Sequence, residues 1–384
     1  MTYDVIVAGV GGMGSATCWQ LARRGQRVLG LERFDVPHSM GSSHGISRII
    51  RLPYYEDPAY VPLLRRAYTL WHEAEAASGQ SLLVTTGSLD GGPEDDPVFA
   101  GALASARLHG LDHEVLTGTA VNGRFPGYAM PPHYRFVLQP QGGLLASERA
   151  VVAHAQLAMA EGAVVRARER VLRWEASPGG EGVTVWTDKG TYRAGRLVLT
   201  AGAWMADLAP VLAGVAVPER QVLAWLQPER PELFTTGNFP VFNLQAEEGR
   251  WYGFPVYEVP GFKFGRYHHR NEVTTAEGMR RDPDREDETM LRGFAERYFP
   301  RGAGPTLALR ACMFTNTPDE HFVLDTHPDF PQVVLASPCS GHGYKFCSVV
   351  GEILADLATG DGATAHDIGF LRLARLGVRQ RALA

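Results

Sequence analysis

The chain has 384 residues, of which 45% are hydrophobic and 21% charged, a composition that is ordinary for a globular protein and favours two domains. The formal net charge of −5 argues against a nucleic-acid-binding protein, which would present a basic surface. No apolar run reaches the roughly 18 residues of a membrane span, and residues 1–4 enter a strand-like segment without a secretory leader. We therefore expect a cytoplasmic protein that binds neither nucleic acid nor membrane.

The four cysteines, at positions 18, 312, 339 and 347, include no CxxC pair. A zinc site is therefore not expected. Disulfides are also not expected in a protein without an export signal. Each cysteine is by default a small buried side chain.

The N-terminal residues predict a βαβ unit. Residues 3–9 are an apolar run rich in Val and Ile, which predicts a buried parallel strand. Small and apolar residues at helical spacing over 12–25 predict a helix that ends at a glycine. Residues 27–32 predict the second strand.

The segment GVGGMG joins the first strand to the helix. Gly9 permits a tight turn, Gly11 lets a pyrophosphate approach the backbone, and Gly14 lets helix and strand pack closely. The helix N-terminus favours the phosphate charge. Glu32 follows the second strand, where a carboxylate holds the adenosine ribose hydroxyls. This pattern predicts dinucleotide binding without choosing between FAD and NAD.

The remaining chain alternates between helical and strand patterns. Helices are predicted over 59–78 and 148–162, and strands over 163–202. Further strands and one charged helix near 283–298 are predicted before a buried strand at 332–338. A glycine-rich turn and a helix from Tyr344 to Thr359 follow that strand.

Strand, glycine turn and helix thus occur at both ends of the chain, which predicts an α/β fold with a discontinuous Rossmann-like domain. We expect this FAD-binding domain to comprise residues 1–82, 146–215 and 320–384. The segments 83–145 and 216–319 are expected to form a substrate domain built on an antiparallel sheet, with α+β character.

The segment HGISRIIR contains His44, Ser47, Arg48 and Arg51. One interpretation is a solvated basic surface. The other is that one arginine binds a substrate carboxylate, since its planar donors match a carboxylate bidentately. The second arginine would then place positive charge beside a redox ring.

Two C-terminal motifs and one lysine complete the candidates. Cys312 in ACMFTNTPDEHFVLD is by itself a buried cysteine. In CSGHGYKF, Gly341 and Gly343 precede a helix start, where backbone N–H groups can stabilise an anion. Lys345 in the first turn is unfavourable without a negative partner, although it could be a surface lysine. Lys263 lies between Phe262 and Phe264 on a strand-like segment, so alternation puts it on the face opposite both, and the simplest interpretation is an exposed strand lysine.

Together these motifs resemble the monomeric sarcosine oxidase and N-methyltryptophan oxidase family of flavoenzymes. The resemblance is close to full length. It includes GVGGMG, GSSHGISRIIR (41–51), TAGAW (200–204), CMFTNTPDEHFVLDTHP (312–328) and SGHGYKF (340–346). The glycine motif is common to many families, whereas the cysteine and SGHGYKF segments in one chain are much more specific.

The resemblance implies a role for each candidate residue. Cys312 matches the cysteine that bonds the 8α-methyl group of FAD covalently, and Lys263 matches the oxygen-activating lysine. Catalytic roles are implied for Lys263, Arg48, His44 and Tyr252. Substrate-binding roles are implied for Arg51, Lys345, Tyr252 and Gly341. FAD-binding roles are implied for Gly9, Gly11, Gly14, Glu32, Ser42, Ser47, Arg48, Cys312, Gly341, Gly343 and Lys345.

The implied reaction is oxidation of the C–N bond of a small secondary amino acid, such as sarcosine, to an imine that hydrolyses in water. Molecular oxygen would be reduced to hydrogen peroxide. The resemblance also implies a monomer without a metal. Pinning the substrate carboxylate on Arg51 and Lys345 would fix the reacting carbon, and a cationic, desolvated site would keep the amine neutral.

Three positions depart from the family pattern. Phe314 replaces a tyrosine, Cys339 replaces an aromatic residue, and either Tyr267 or His268 takes the place of a histidine. These differences concern the substrate pocket rather than the type of reaction.

Three alternatives remain. The first is an oxidase or dehydrogenase with non-covalent FAD that acts on glycine, cyclic imino acids or glycated amines. The second is a flavin-binding subunit without catalysis, against which the joint presence of Arg51, Lys263 and Lys345 argues. The third is an NAD-dependent dehydrogenase, which would leave Cys312 and SGHGYKF without a role.

Overall fold

The computed structural model describes residues 2–178, 180–360 and 362–378. Its α-helices are α1 (Gly12–Ala22), α2 (Val61–Ser78), α3 (Pro97–Leu108), α4 (Gly118–Arg124), α5 (Ser147–Ala160), α6 (Met205–Leu208), α7 (Arg285–Tyr298) and α8 (Cys347–Thr359). Its strands are β1 (Thr2–Ala8), β2 (Val28–Leu31), β3 (Ser47–Ile50), β4 (Leu83–Thr85), β5 (Ser88–Gly92), β6 (Glu114–Thr117), β7 (Arg135–Gln139), β8 (Gly143–Ala146), β9 (Val164–Arg166), β10 (Val171–Ala176), β11 (Val183–Thr187), β12 (Thr191–Leu199), β13 (Val217–Leu226), β14 (Val241–Ala246), β15 (Gly249–Phe254), β16 (Phe262–Arg266), β17 (Thr306–Asn316), β18 (Val323–Thr326) and β19 (Val333–Ser337).

The first sheet has a parallel centre in the order β9, β2, β1, β12 and β19. The antiparallel strands β10 and β11 extend it along the first half of β12, and β18 pairs with β19. Helices α1, α5 and α8 pack together beside this sheet. Their apolar residues join those of α2 in one buried cluster. Strands buried on both faces are typical of parallel sheets covered by helices.

The second sheet has the order β17, β13, β16, β15, β14, β5, β7 and β6. All its pairs are antiparallel except β14 with β5. One face packs against α7 through an aromatic cluster that includes Phe242, Trp251, Phe264 and Phe294. The expected α/β fold, with a Rossmann-like sheet and a second sheet rich in antiparallel pairs, is confirmed.

A small sheet of β3, β8 and β4 connects the two larger sheets in sequence. Strand β3 lies in the predicted FAD-binding segment 1–82, whereas β4 and most of β8 lie in the predicted substrate segment 83–145. This small sheet therefore contains strands from both predicted domains. The predicted domain boundaries stay a prediction.

Within the described residues, no helix is both long and apolar enough to cross a bilayer. The expected cytoplasmic location stays a prediction.

Candidate active site

The glycine-rich turn between β1 and α1 has the geometry that its sequence predicts. Gly9 has a φ of 101°, and a Cβ there would lie 2.5 Å from the Thr200 carbonyl oxygen. A Cβ on Gly14 would lie 1.8 Å from the Gly9 oxygen. Gly11 has only the Ser43 hydroxyl oxygen within 4 Å of such a Cβ, at 3.4 Å. The turn is thus closed on the protein side and open where a phosphate group would approach.

Glu32 lies beside this turn. One of its carboxylate oxygens accepts a hydrogen bond from the Val10 N–H at 2.9 Å, and the other accepts one from the Phe34 N–H at 2.9 Å. Burial raises the pKa of Glu32, but the nearby His38 and the two N–H groups more than offset it, so the pKa lies below its usual value. The side chain is therefore a fixed anion, ready to accept hydrogen bonds from ribose hydroxyls.

One cavity is lined by residues from both large sheets. Gly9, Gly11 and Glu32 line it, as do Cys312 and Tyr252. Other expected site residues in its wall are Ser42, Arg48, Arg51, Gly341, Gly343 and Lys345. Gly14, His44, Ser47 and Lys263 are not in the wall. They stand behind it, where they shape the turn or contact lining residues such as Arg48 and Phe254.

Cys312 on β17 has an electrostatic environment unlike that of the other cysteines. Its sulfur lies 3.7 Å from a guanidinium nitrogen of Arg48. Burial raises the pKa of the Cys312 thiol, but His44 and Arg48 more than offset this effect and lower the pKa to about 6. Burial raises the pKa of Cys18 and of Cys339 to about 12. Cys312 is therefore poised to be a thiolate at neutral pH.

The loop before β3 is held by charged side chains. Arg48 donates to the carbonyl oxygens of Ser47 and Ser42, each at 2.8 Å. The Glu148 carboxylate accepts from the backbone N–H groups of residues 45 and 46 at 2.7 and 2.9 Å. The Ser42 hydroxyl and His44 Nε2 are buried without a hydrogen-bond partner among the described residues. A bound polar group in the cavity would satisfy the Ser42 hydroxyl.

Arg51 lines the cavity but is already paired with protein carboxylates. It is 1% exposed. Its Nη2 bonds the Glu56 carboxylate at 2.8 Å, its Nη1 donates to the Pro53 carbonyl at 2.6 Å, and its Nε lies 3.1 Å from Asp90. A substrate carboxylate would have to share or displace these partners to bind Arg51.

Lys345 lies in the short 3₁₀ turn Tyr344–Phe346 that precedes α8. Its ammonium group donates to the His342 carbonyl at 2.7 Å. Burial, followed by the adjacent Arg51, lowers the pKa of Lys345 to about 7. The surface-lysine interpretation is therefore wrong, because the side chain is buried in the wall of the cavity.

The glycines of the SGHG turn are required by its geometry. Gly341 has a φ of 76°, and a Cβ there would lie 2.6 Å from the Phe314 ring. A Cβ on Gly343 would lie 1.6 Å from the Pro338 oxygen. The backbone can therefore approach the cavity closely at both positions.

The comparisons with known proteins agree with this geometry. The model of the family described as FAD dependent oxidoreductase matches residues 4–357. The chain is 42% identical to monomeric sarcosine oxidase of Streptomyces avermitilis over 385 residues, which is 98% of each chain. It is 38% identical to monomeric sarcosine oxidase of Bacillus sp. (strain NS-129) over 387 residues, 99% of each chain. N-methyl-L-tryptophan oxidase of Yersinia pestis (strain Pestoides F) is 34% identical over 378 residues, covering 98% of this chain and 100% of the relative.

The chain belongs to this family of FAD-dependent oxidoreductases. Among solved structures, it is similar to NikD, described as an unusual amino acid oxidase essential for nikkomycin biosynthesis. The TM-score is 0.84 at 29% identity, covering 100% of this chain and 98% of NikD. The described residues contain no His, Cys, Asp and Glu group that could hold a metal. The glycine-rich turn between β1 and α1, the Glu32 carboxylate and the unpaired Ser42 hydroxyl are suited to bind the FAD of this family.

In this flavoprotein, Lys263 lies on the cavity side of the second sheet. Phe262 and Phe264 point into the aromatic cluster on the opposite face, as strand alternation predicts. The Lys263 amine donates to the Ser47 carbonyl at 2.6 Å and to the Ser47 hydroxyl at 3.0 Å. Burial, followed by Arg48, holds the pKa of Lys263 well below its usual value. The interpretation as an exposed strand lysine is wrong.

Tyr267, rather than His268, faces the cavity of the flavoprotein. The His268 imidazole points away and bonds the carboxylates of Glu219 at 2.8 Å and Glu320 at 3.1 Å. Phe314 also lines the cavity. The rings of Tyr267 and Phe314 thus line the cavity at two of the positions where the sequence was expected to depart from the family pattern.

Sequence reasoning missed four residues close to the pocket, namely Glu56, Asp90, Asn243 and Arg250. Asp90, Asn243 and Tyr252 are side by side across β5, β14 and β15. The Asn243 amide donates to Asp90 at 2.9 Å. The signal for Arg250 was its position two residues before Tyr252, which puts both side chains on one face of a strand. The pairing of β5 with β14 had no local signal.

Proposed function

We propose that the protein is an oxidase of small secondary amino acids, with sarcosine and other N-methyl amino acids as the substrate class. The observation that carries this proposal is the convergence of Arg51 and Lys345 in the cavity wall that also holds Cys312. Two cations of this kind suit a carboxylate and fix its orientation. The names of the 34–42% identical relatives point to the same substrates.

We further propose that FAD is bonded covalently to Cys312 by a thioether. The support is the low pKa of the Cys312 thiol beside His44 and Arg48, since the thiolate is the nucleophilic form of cysteine. FAD, when bound, supplies the acceptor for the two electrons removed from the C–N unit. Arg48, 3.7 Å from the Cys312 sulfur, would provide a fixed positive charge that stabilises the negative charge developing on the flavin.

The roles of the chain in the reaction follow from its charges. Arg51 and Lys345 would hold the substrate carboxylate, and their positive charge would lower the pKa of the substrate amine so that it reacts as the neutral form. The Lys263 amine, fixed by Ser47, would favour reduction of oxygen to hydrogen peroxide. Tyr252 would contact the substrate, and water would hydrolyse the imine product.

The test is peroxide release from purified protein with sarcosine, N-methyl-L-alanine, N-methyl-L-tryptophan, glycine, L-proline and a fructosyl amino acid. We expect the N-methyl amino acids to give the highest kcat/KM. A higher kcat/KM for glycine, L-proline or the fructosyl amino acid would show that the proposed substrate class is wrong. Absence of peroxide and of flavin bleaching with every compound would favour a subunit without catalysis.

The covalent bond has a separate test. After precipitation in acid, the yellow colour should remain in the pellet of the wild-type protein and move to the supernatant for Cys312→Ala. Cys18→Ala, which removes a buried cysteine from α1, should keep its colour in the pellet. Colour in the supernatant of the wild type would contradict the thioether while leaving the oxidase activity intact.

A further inference from the structure

Arg250 is a cation with no assigned role that contacts the wall of the substrate cavity through Tyr267. It is on β15, two residues before Tyr252, and therefore points to the same face of the second sheet. Its carbonyl oxygen accepts a hydrogen bond from the Tyr267 N–H at 2.8 Å. Tyr252 and Tyr267 both line the cavity. Arg250 thus lies directly behind two residues of the cavity wall.

The guanidinium group of Arg250 lacks the partners that such a group normally has. Its central carbon lies 3.5 Å from the centre of the Tyr267 ring. Its Nη2 is buried without a hydrogen-bond partner among the described residues. Within that part of the chain, Arg250 also forms no ion pair within 4.0 Å. By contrast, Arg220 in the same sheet has both terminal nitrogens on the Asp287 carboxylate, at 3.1 and 2.7 Å.

Arg250 is only partly buried, but its Nη2 is enclosed. A buried donor without a hydrogen-bond partner is costly to the folded protein, so Nη2 calls for a partner. The nearby acidic groups are already bound elsewhere. The Glu320 carboxylate bonds His268 at 3.1 Å, and the Glu56 carboxylate bonds Arg51 at 2.8 Å. The partner that would complete the five donors of Arg250 is therefore an anion from outside the chain.

Arg250 is close to the expected position of the substrate carboxylate. The ring of Tyr55 lies 4.5 Å from the guanidinium carbon of Arg51 and 5.5 Å from that of Arg250. Because both distances are measured to one ring, the two guanidinium carbons are no more than about 10 Å apart. A short molecule with an acidic group at each end can reach both arginines.

We propose that Arg250 binds a second acidic group of the substrate, so that the preferred substrates are N-methyl amino acids with a carboxylate side chain. This inference rests on the proposed function, in which Arg51 and Lys345 bind the α-carboxylate. The aromatic face of Tyr267 holds the guanidinium plane in place, which lowers the entropy lost when the acid binds.

The first experiment compares N-methyl-L-glutamate with N-methyl-L-glutamine, which has the same length but no side-chain charge. In steady-state peroxide release, the acid should have a kcat/KM higher by roughly 10- to 100-fold, the range expected for a hydrogen-bonded charge. Arg250→Gln should remove this preference while changing the kcat/KM for N-methyl-L-glutamine less than threefold. Arg250→Lys should keep part of it.

Arg310→Gln is the matched control, because it removes one exposed arginine from the same sheet. It should keep the preference of the wild type. Equal kcat/KM for the acid and the amide in the wild type would overturn the inference but leave the proposed function standing. An equal loss with both substrates in Arg250→Gln would mean that Arg250 only supports the fold, and would also overturn it.

The second experiment needs no turnover. The dissociation constants of glutarate and butyrate are measured by perturbation of the flavin absorbance in the wild type and in Arg250→Gln. Glutarate should bind the wild type at least 10-fold more tightly than butyrate, and the variant should bind both alike. If no amino acid reduces the flavin but glutarate is still preferred through Arg250, the oxidase proposal fails and the diacid site stands. If the wild type shows no preference, the diacid site is wrong.

Discussion

Cys312 shows how the reactivity of one residue depends on two neighbours that are remote in sequence. His44 is in the loop before β3 and Arg48 is in β3 itself, whereas Cys312 is on β17. Burial alone raises the pKa of a thiol, as at Cys18, and here the two neighbours reverse that effect. The sequence could therefore identify Cys312 through the family motif, but it could not reveal the charged neighbours that lower the pKa of its thiol.

We predict that the Cys312 thiol of flavin-free protein reacts with iodoacetamide with a midpoint near pH 6, because its pKa is lowered to about 6. His44→Asn should move this midpoint to higher pH, since it removes one of the groups that lower the pKa. The measurement is the rate of Cys312 alkylation against pH by mass spectrometry of its peptide. Cys18 serves as the internal control and should stay unmodified up to pH 9.

A Cys312 midpoint above pH 8 in the wild type would contradict this electrostatic account. The same peptide map reports both cysteines in one sample, so a loss of folding would be recognised by alkylation of Cys18.

We predict that binding of a monocarboxylate inhibitor weakens as the pH rises through about 7. Burial and Arg51 lower the pKa of Lys345 to about 7, so the ammonium form that attracts the anion is lost above that pH. The dissociation constant of acetate, measured by flavin absorbance between pH 6 and 9, should rise by roughly 10-fold, as for loss of one charge-assisted hydrogen bond.

In Lys345→Met the acetate affinity should be weak at every pH and should lose this dependence. An unchanged pH profile in the variant would assign the titration to another group, of which Asp90 is the nearest candidate because burial, opposed by Arg51, raises its pKa to about 6.

At the scale of elements, the sequence predicts α1, α2, α5, α7 and α8 because their patterns are local, but it predicts no individual element between residues 83 and 146. Helix α7 matches the charged segment near 283–298, and β16 has the predicted alternation around Lys263. The predicted helix over 12–25 ends at Ala22, because Gly25 adopts a φ of 78° after a turn. The helix expected from Tyr344 begins instead as a 3₁₀ turn, and α8 starts at Cys347.

Glycines inside helices provide a matched test of element packing. A Cβ on Gly351 in α8 would lie 2.7 Å from the backbone of Ala16 in α1, whereas a Cβ on Gly293 in α7 meets nothing within 4 Å. We predict that Gly351→Ala lowers the free energy of unfolding by about 1–3 kcal/mol through overpacking. Gly293→Ala should raise it by about 0.5–1 kcal/mol, the gain in helix propensity.

The measurement is urea unfolding followed by circular dichroism, with flavin fluorescence as a second probe. Equal stability changes in the two variants would contradict the close packing of α1 on α8. Loss of flavin from Gly351→Ala alone would show that this packing also supports the cofactor turn, which begins α1.

At the scale of the whole molecule, the sequence could not predict how the pocket is completed. Asp90, which contacts Arg51, reaches Asn243 because β5 pairs with β14, more than a hundred residues later. No local sequence pattern specifies such a pairing. The side chains that it brings together, Asp90 and Asn243, are polar, so they also do not contribute to the apolar periodicity from which strands are predicted. The residues of the candidate site that belong to the family motifs were therefore predictable. Glu56 and Asp90, the carboxylates that bind Arg51, were not.

We predict that the protein is a monomer in solution. The exposed large apolar side chains of the described surface are far apart in the sequence, for example Leu108 in α3, Leu172 in β10 and Val273 in a loop. Isolated apolar residues do not form the patch that a stable dimer needs. Light scattering after gel filtration should give a mass near 41.9 kDa between 1 and 100 µM. A concentration-dependent mass near twice that value would contradict this prediction.

The strand order of the first sheet has a consequence for how the protein is made. Strand β1 pairs with β12, and β12 pairs with β19, which spans residues 333–337 of a 384-residue chain. A growing polypeptide therefore cannot complete this sheet while β19 is still inside the ribosome. Because these contacts join distant segments, they also form slowly. Completion of the nucleotide-binding sheet thus waits for β19, and until then a nascent chain exposes the unpaired edge of β12.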